Sequence, residues 1–301
     1  MNTMIQDEIL KLKKEKNAII LAHYYQDKEV QDIADFVGDS LELSRIASTT
    51  NHKMIIFCGV NFMAETAKIL SPEKKVILPV KEAICPMAMM IDKEKLLAYK
   101  KLNPDRVVIC YVNSYADVKA LSDVCVTSSN AEKIITTYKD QKMLYIPDKN
   151  LGTYLKDKYH LDIDIWPGFC CIHNNLKTDE VDTMRKAHPK ALLLIHPESP
   201  LALLKMADYV GSTKGIIDFA SKSEAKEFII GTEEGILHPL RKRNPDKTFY
   251  LLSEGLRCYD MKLTKIEDVL RALKEETFEI TVDPNILVDA KKALDKMLEM
   301  S

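Results

Sequence analysis

The stretch Ala18-Ile-Ile-Leu-Ala-His23-Tyr-Tyr25, followed by Asp35-Phe-Val-Gly-Asp39-Ser40, decides how this chain folds, because its pattern returns twice. The second copy reads Val107-Val-Ile-Cys-Tyr111-Val-Asn113 and then Asp123-Val-Cys-Val-Thr-Ser128. The third reads Ala191-Leu-Leu-Leu-Ile-His196-Pro-Glu198 and then Asp208-Tyr-Val-Gly-Ser212-Thr213. Each copy is an apolar run too short for a buried helix, a polar tip, and an Asp-led turn ending in a hydroxyl. Asp35 and Asp123 are 88 residues apart, Asp123 and Asp208 85. Cys85, Cys170 and Cys258 close the copies with the same two spacings in reverse order. One αβ unit has been used three times, and three equivalent thiols can meet where the units join.

Working outward, the first unit continues with apolar runs at 54–58 and 75–79, separated by helix-forming segments at 30–36, 41–48 and 62–70. The second unit repeats this with strands at 143–146 and 161–165 around a helix at 151–158. The third has strands at 227–230 and 248–252 with a helix running to Leu240. Strands alternating with helices imply an α/β protein of three small parallel sheets, each covered on both faces and built from right-handed crossovers. The expected units are 1–85 with 259–301, 86–170 and 171–258, the terminal helices packing on the first. Ligands of such sheets gather beyond the carboxyl ends of the strands. The unusual polar residues fall at that edge, which predicts one central cavity.

The bulk properties narrow the function. The chain has 301 residues, 46% hydrophobic and 29% charged, with a net charge of −2. No basic stripe interleaved with aromatics argues for nucleic acid. No apolar stretch approaches the ~18 residues of a membrane span, and the amino terminus lacks the apolar core of a signal peptide. A cytoplasmic protein is expected. In that reducing compartment the seven cysteines read as free buried thiols or metal ligands rather than disulfides.

Three groups of residues carry chemistry. The equivalent cysteines suit a cubane iron–sulfur cluster with one iron left open, a Lewis acid toward hydroxyl and carboxylate groups. Zinc on three thiolates with His173 is the rival, and spacing alone leaves Cys170 and Cys171 as alternatives. Cys58, Cys110 and Cys125 lie inside apolar strands and read as core. Ser40, Ser128, Ser212 and Thr213, with Asp39, stand at helix starts, where they act as caps and also present N–H groups and dipoles to anions. The strand tips supply His23 and Tyr25, Tyr111 and Asn113, His196 and Glu198. Each pair skips one residue, so both members share a face. Glu198 beside a histidine is a candidate general acid or base.

These motifs resemble one family throughout. Ala22-His23-Tyr-Tyr25-Gln26, Gln31-Asp-Ile-Ala-Asp35-Phe-Val-Gly-Asp39-Ser40, Phe62-Met-Ala-Glu65, Tyr111-Val-Asn113-Ser114, Pro147-Asp-Lys-Asn150, His196-Pro-Glu198, Gly211-Ser-Thr213 and Gly231-Thr-Glu233 are similar to the quinolinate synthases of NAD biosynthesis. The resemblance implies three αβα domains about a pseudo-threefold axis. It implies a 4Fe–4S cluster on Cys85, Cys170 and Cys258, the second ligand being fixed by Gly168-Phe-Cys170-Cys-Ile-His173. The reaction it implies is condensation of iminoaspartate with dihydroxyacetone phosphate to quinolinate, releasing phosphate and two waters. A functional link to an iminoaspartate-producing enzyme comes with it. Glu198 and Tyr25 would handle protons beside His196. Ser40, Ser128, Ser212 and Thr213 would bind phosphate or carboxylate, His23, Tyr111 and Asn113 would orient substrate, and Asp39 and His173 complete the implied substrate-binding set. Many members carry Cys where this chain has Ser199, and the Cys-x-x-Cys-x-x-Cys of some is missing around Cys258. Both departures argue against a disulfide switch there. A non-catalytic iron–sulfur carrier and a cluster-free sugar-phosphate binder are the other classes considered. No fourth equivalent thiol completes a carrier's cluster, and the binder leaves the cysteines unexplained.

Overall fold

The computed structural model describes residues 2–301. It contains three four-stranded sheets, every pairing parallel. The first has β1 (Ala18–His23), β2 (Phe36–Gly38), β3 (Met54–Cys58) and β4 (Lys75–Ile77) in the order β2-β1-β3-β4. The second has β5 (Val107–Tyr111), β6 (Val124–Val126), β7 (Met143–Ile146) and β8 (Ile163–Ile165) in the order β6-β5-β7-β8. The third has β9 (Leu192–Ile195), β10 (Tyr209–Val210), β11 (Glu227–Gly231) and β12 (Thr248–Leu251) in the order β10-β9-β11-β12. Helices flank each sheet, so the architecture is α/β, one topology used three times.

The strands are nearly unbroken apolar runs because helices cover both faces of each sheet. All six residues of β1 are buried. Burying Ile20 or Leu21 completely is worth about 1.5–3 kcal/mol each. The repeating aspartates have a structural task. The Oδ2 of Asp35 accepts the Ile20 N–H at 2.8 Å, that of Asp123 the Val108 N–H at 2.7 Å, and that of Asp208 the Leu193 N–H at 2.7 Å. Each carboxylate satisfies a central-strand donor just before the edge strand begins, which fixes the register of β2, β6 and β10.

The expected fourth strand at 75–79 ends at Ile77. Leu78 donates to the Phe278 carbonyl, and Pro79 has no N–H to continue the ladder. The terminal helices divide between sheets. Helix Ile266–Glu275 buries Ile266, Val269, Ala272 and Leu273, and lies against helix Asn2–Glu15 and β3. Helix Pro284–Met300 starts with the Asp283 cap and Pro at its first position, and buries Ala290, Ala293, Leu294 and Met297. It lies mainly along helix Ala116–Ala120 and β6 of the second sheet, with helix Asn61–Leu70 of the first on its flank. It thus touches the first unit, as expected, but packs more on the second, where its alanines permit close approach. Among the described residues, no helix is long and apolar enough to cross a membrane.

Candidate active site

The carboxyl edges of the three sheets face one cavity of about 180 Å³. His23 ends β1, Tyr111 ends β5 and His196 follows β9, so parallel strands deliver one tip from each unit. Tyr25, Asp39, Ser40, Asn113, Ser128, His173, Glu198 and Thr213 line the same cavity, together with Cys85, Cys170 and Cys258.

Glu198 stands at the centre of the polar wall. Its Oε1 accepts the Tyr111 hydroxyl at 2.6 Å, and its Oε2 meets His173 Nδ1 at 2.7 Å and His196 Nδ1 at 3.7 Å. His173 and His196 stack with centroids 4.9 Å apart. The far nitrogen of His173 bonds Thr232 Oγ1 at 2.9 Å, and that hydroxyl bonds Tyr25 at 2.7 Å. Tyr25 also meets Thr213 Oγ1 at 2.9 Å. The network therefore runs Tyr111–Glu198–His173–Thr232–Tyr25–Thr213 across all three units.

Burial opposes the charge on Glu198, but its pKa falls to about 2 through the charge of His196 and the contacts of His173 and Tyr111. Burial lowers His196 to about 3, and its neighbour His173 adds to that lowering. His196 is therefore neutral near neutral pH, and there the hydrogen bonds from Tyr111 and His173 keep Glu198 ionised. Burial, with the charge of His196, also lowers His23 to about 3. Its Nδ1 accepts the Tyr25 N–H at 3.1 Å, which leaves its Nε2 as the protonated, donating nitrogen. Burial and then the Glu198 charge push Tyr25 and Tyr111 well above the usual phenol range, keeping both protonated.

The thiols repeat as the strands do. Each stands at or just before a short 3₁₀ turn: Pro86–Met90, His173–Asn175 and Asp260–Lys262. Backbone N–H groups two and three residues ahead act against the burial of each thiol: Met87 and Ala88 for Cys85, Ile172 and His173 for Cys170, Asp260 and Met261 for Cys258. Such N–H groups favour thiolate sulfur, the form that ligates a metal. Cys58, Cys110 and Cys125 are fully buried in strands instead. Burial pushes Cys85 up to about 12 and Cys258 to about 11, so a bound metal must displace protons. Cys170, His173 and Glu198 bring ligand atoms within 4.8 Å of one another and could hold a metal ion. Among the described residues the three equivalent thiols form no such tight group. The donor set and its threefold setting fit an iron–sulfur group.

Some expected residues have other tasks. Ser212 does not line the cavity; its Oγ accepts the Gly215 N–H at 3.0 Å as a helix cap and meets Ser129 Oγ at 2.7 Å. Ser129 also donates to Asp39, whose other oxygen accepts the N–H groups of Leu41 and Glu42, so one hydroxyl ties the three helix starts together. Thr232, Glu233, Lys262 and Asn150 were not picked out as site residues. Glu233 accepts the Cys258 N–H at 3.1 Å and pairs with Lys262 at 3.1 Å, while Lys262 donates to the Tyr25 carbonyl at 2.6 Å. Asn150 donates to the Glu198 carbonyl at 2.8 Å. Thr232 and Glu233 follow β11 directly, so the strand-tip rule that found the others would have found them.

Fold and cavity together define a threefold-repeated α/β protein with an enclosed site of thiols, histidines and a buried carboxylate. Sequence comparison places that class more finely. The model of the family described as quinolinate synthetase A protein matches residues 7–299. Quinolinate synthase from Caldicellulosiruptor saccharolyticus is 52% identical over 99% of this chain and 98% of its own length. That from Alkaliphilus metalliredigens is 50% identical over 99% of both, and quinolinate synthase 2 from Methanosarcina acetivorans 46% over 99% and 96%. The chain belongs to the quinolinate synthetase A family.

Proposed function

We propose that this protein is a quinolinate synthase that condenses iminoaspartate with dihydroxyacetone phosphate, releasing phosphate and two waters, with a 4Fe–4S cluster on Cys85, Cys170 and Cys258. The observation that carries the reading is the meeting of three equivalently built thiol sites and a hydrogen-bonded buried carboxylate in one cavity. When bound, the cluster supplies a Lewis-acidic iron without a protein ligand.

The chain's own residues do the rest. Glu198, ionised and aimed into the cavity, takes protons during condensation and dehydration. Tyr25, kept protonated, gives protons to departing oxygens and recovers them through Thr232 and His173. His196, neutral, positions Ser128 through the 3.2 Å contact of its Nε2. Ser40, Ser128 and Thr213 present hydroxyls and helix starts to the phosphate. Tyr111, Asn113 and His23 orient the carbon skeleton. The same reading makes the partners small molecules, links the protein to an enzyme that produces iminoaspartate for NAD biosynthesis, and assigns it to the cytoplasm. An anaerobic assay with dihydroxyacetone phosphate and freshly generated iminoaspartate tests it. Quinolinate formation is the expected result; none, from protein with a full cluster, refutes the function.

A further inference from the structure

We propose that Arg257 is the entry residue of the cavity, capturing the anionic substrates at its mouth and exchanging Glu234 for them. The inference rests on the function proposed above, because both substrates and the product carry negative charge. Among the described residues lining the cavity, Arg257 is the sole lysine or arginine. His23 and His196 offer no compensating charge, being buried and neutral. The cavity wall otherwise contributes carboxylates, with Glu198 at the centre and Asp260 beside the third cysteine.

Arg257 immediately precedes Cys258, so it reaches the rim on the same loop that carries a thiol. Its side chain is 56% exposed and paired with Glu234, whose side chain is 29% exposed. An exposed pair of this kind contributes little to stability. The guanidinium is nevertheless held at the opening, with five donors of which Glu234 cannot occupy all. An arriving carboxylate or phosphate can share the free donors and then displace Glu234. Fixed charge at the mouth of a low-dielectric cleft focuses the field and raises the encounter rate of oppositely charged ligands. Without Arg257 the described lining keeps Glu198 and Asp260 with no lysine or arginine, and repels the same ligands.

The two partners therefore predict opposite effects, which a merely structural pair would not give. The test measures kcat/KM for dihydroxyacetone phosphate in the cluster-loaded enzyme, from about 0.01 M to about 1 M salt, where the screening length shrinks from ~30 to ~3 Å. In Arg257→Gln, kcat/KM should fall roughly tenfold at low salt, with kcat reduced far less. Wild type should lose its advantage as salt rises, and the two should converge. Arg257→Lys should recover most of the low-salt value. Glu234→Gln should raise kcat/KM roughly threefold at low salt. The cluster's absorption is recorded for every variant, and Glu234→Gln decides the matter if Arg257→Gln loses it. Equal salt dependence in wild type and Arg257→Gln, or no gain in Glu234→Gln, overturns the proposal. Wild-type enzyme that makes no quinolinate refutes the parent function instead, before any variant is compared.

Discussion

Replacing Glu198 with Gln separates the charge of the central carboxylate from its shape. The side chain is buried, and its two oxygens are held by Tyr111 at 2.6 Å and His173 at 2.7 Å. Glutamine keeps the length and can keep the Tyr111 bond through its carbonyl oxygen. Its NH₂ then faces His173 Nδ1, which must present a lone pair. The imidazole can do so by moving its proton to Nε2, from which it donates to Thr232. Every group thus stays satisfied, and the stability cost should be within about 1 kcal/mol. The base, however, is gone. Loss of a positioned general base costs about 10²-fold or more in rate, or about 2.7 kcal/mol in barrier. Single-turnover kinetics on cluster-loaded Glu198→Gln should show that fall in quinolinate formation, with the cluster spectrum retained and dihydroxyacetone phosphate still bound. A variant with intact hydrogen bonding and near wild-type turnover would reduce Glu198 to a structural partner of His173 and His196.

Serine in place of Cys85, Cys170 or Cys258 should abolish the cluster absorption, whereas serine at Cys58, Cys110, Cys125 or Cys171 should keep it; reconstitution followed by visible and EPR spectroscopy distinguishes them. Thr232→Val removes the bridge between Tyr25 and His173 and should lower kcat roughly tenfold, with Thr232→Ser restoring it, read in steady-state assays. Ser128→Ala should raise KM for dihydroxyacetone phosphate more than it lowers kcat, because it removes an anion donor and no proton carrier. Glu132 tests the fold away from the site. Burial opposes its charge, yet hydrogen bonds from Lys158, Tyr159 and Tyr154 lower its pKa below the usual value. A depressed folded pKa means stability present above the unfolded value of about 4.3 and lost as pH falls through the folded one. Glu132→Gln should therefore cost about 1 kcal/mol at pH 7, discounted for its exposure, and the difference from wild type should vanish in urea melts at lower pH.

The repeat was legible because parallel strands buried on both faces must be written as apolar runs, and because one aspartate per unit must catch the N–H of the central strand. Asp35, Asp123 and Asp208 marked the period before their task was visible. The strand tips were legible for the same reason, since a parallel sheet delivers its last side chains to one edge. The side of a residue toward which its hydroxyl turns was not legible. Ser212 and Ser129 both sit at helix starts, yet Ser212 is consumed as a cap and Ser129 ties three units together. The position of Thr232 at a strand tip is legible, but its role as a bridge is not, because its partners, Tyr25 and His173, are more than fifty residues away and meet it only in the folded chain. The place of helix Pro284–Met300 was hidden as well, because its i, i+3, i+4, i+7 apolar stripe says which face is buried and nothing about the partner.

The central claim is that three thiols placed by repetition hold one iron–sulfur cluster. Iron and acid-labile sulfide analysis of anaerobically purified protein tests this most directly. The account predicts about four of each per chain, falling together in Cys258→Ser. One zinc per chain without sulfide, or iron and sulfide unchanged in Cys258→Ser, would contradict it.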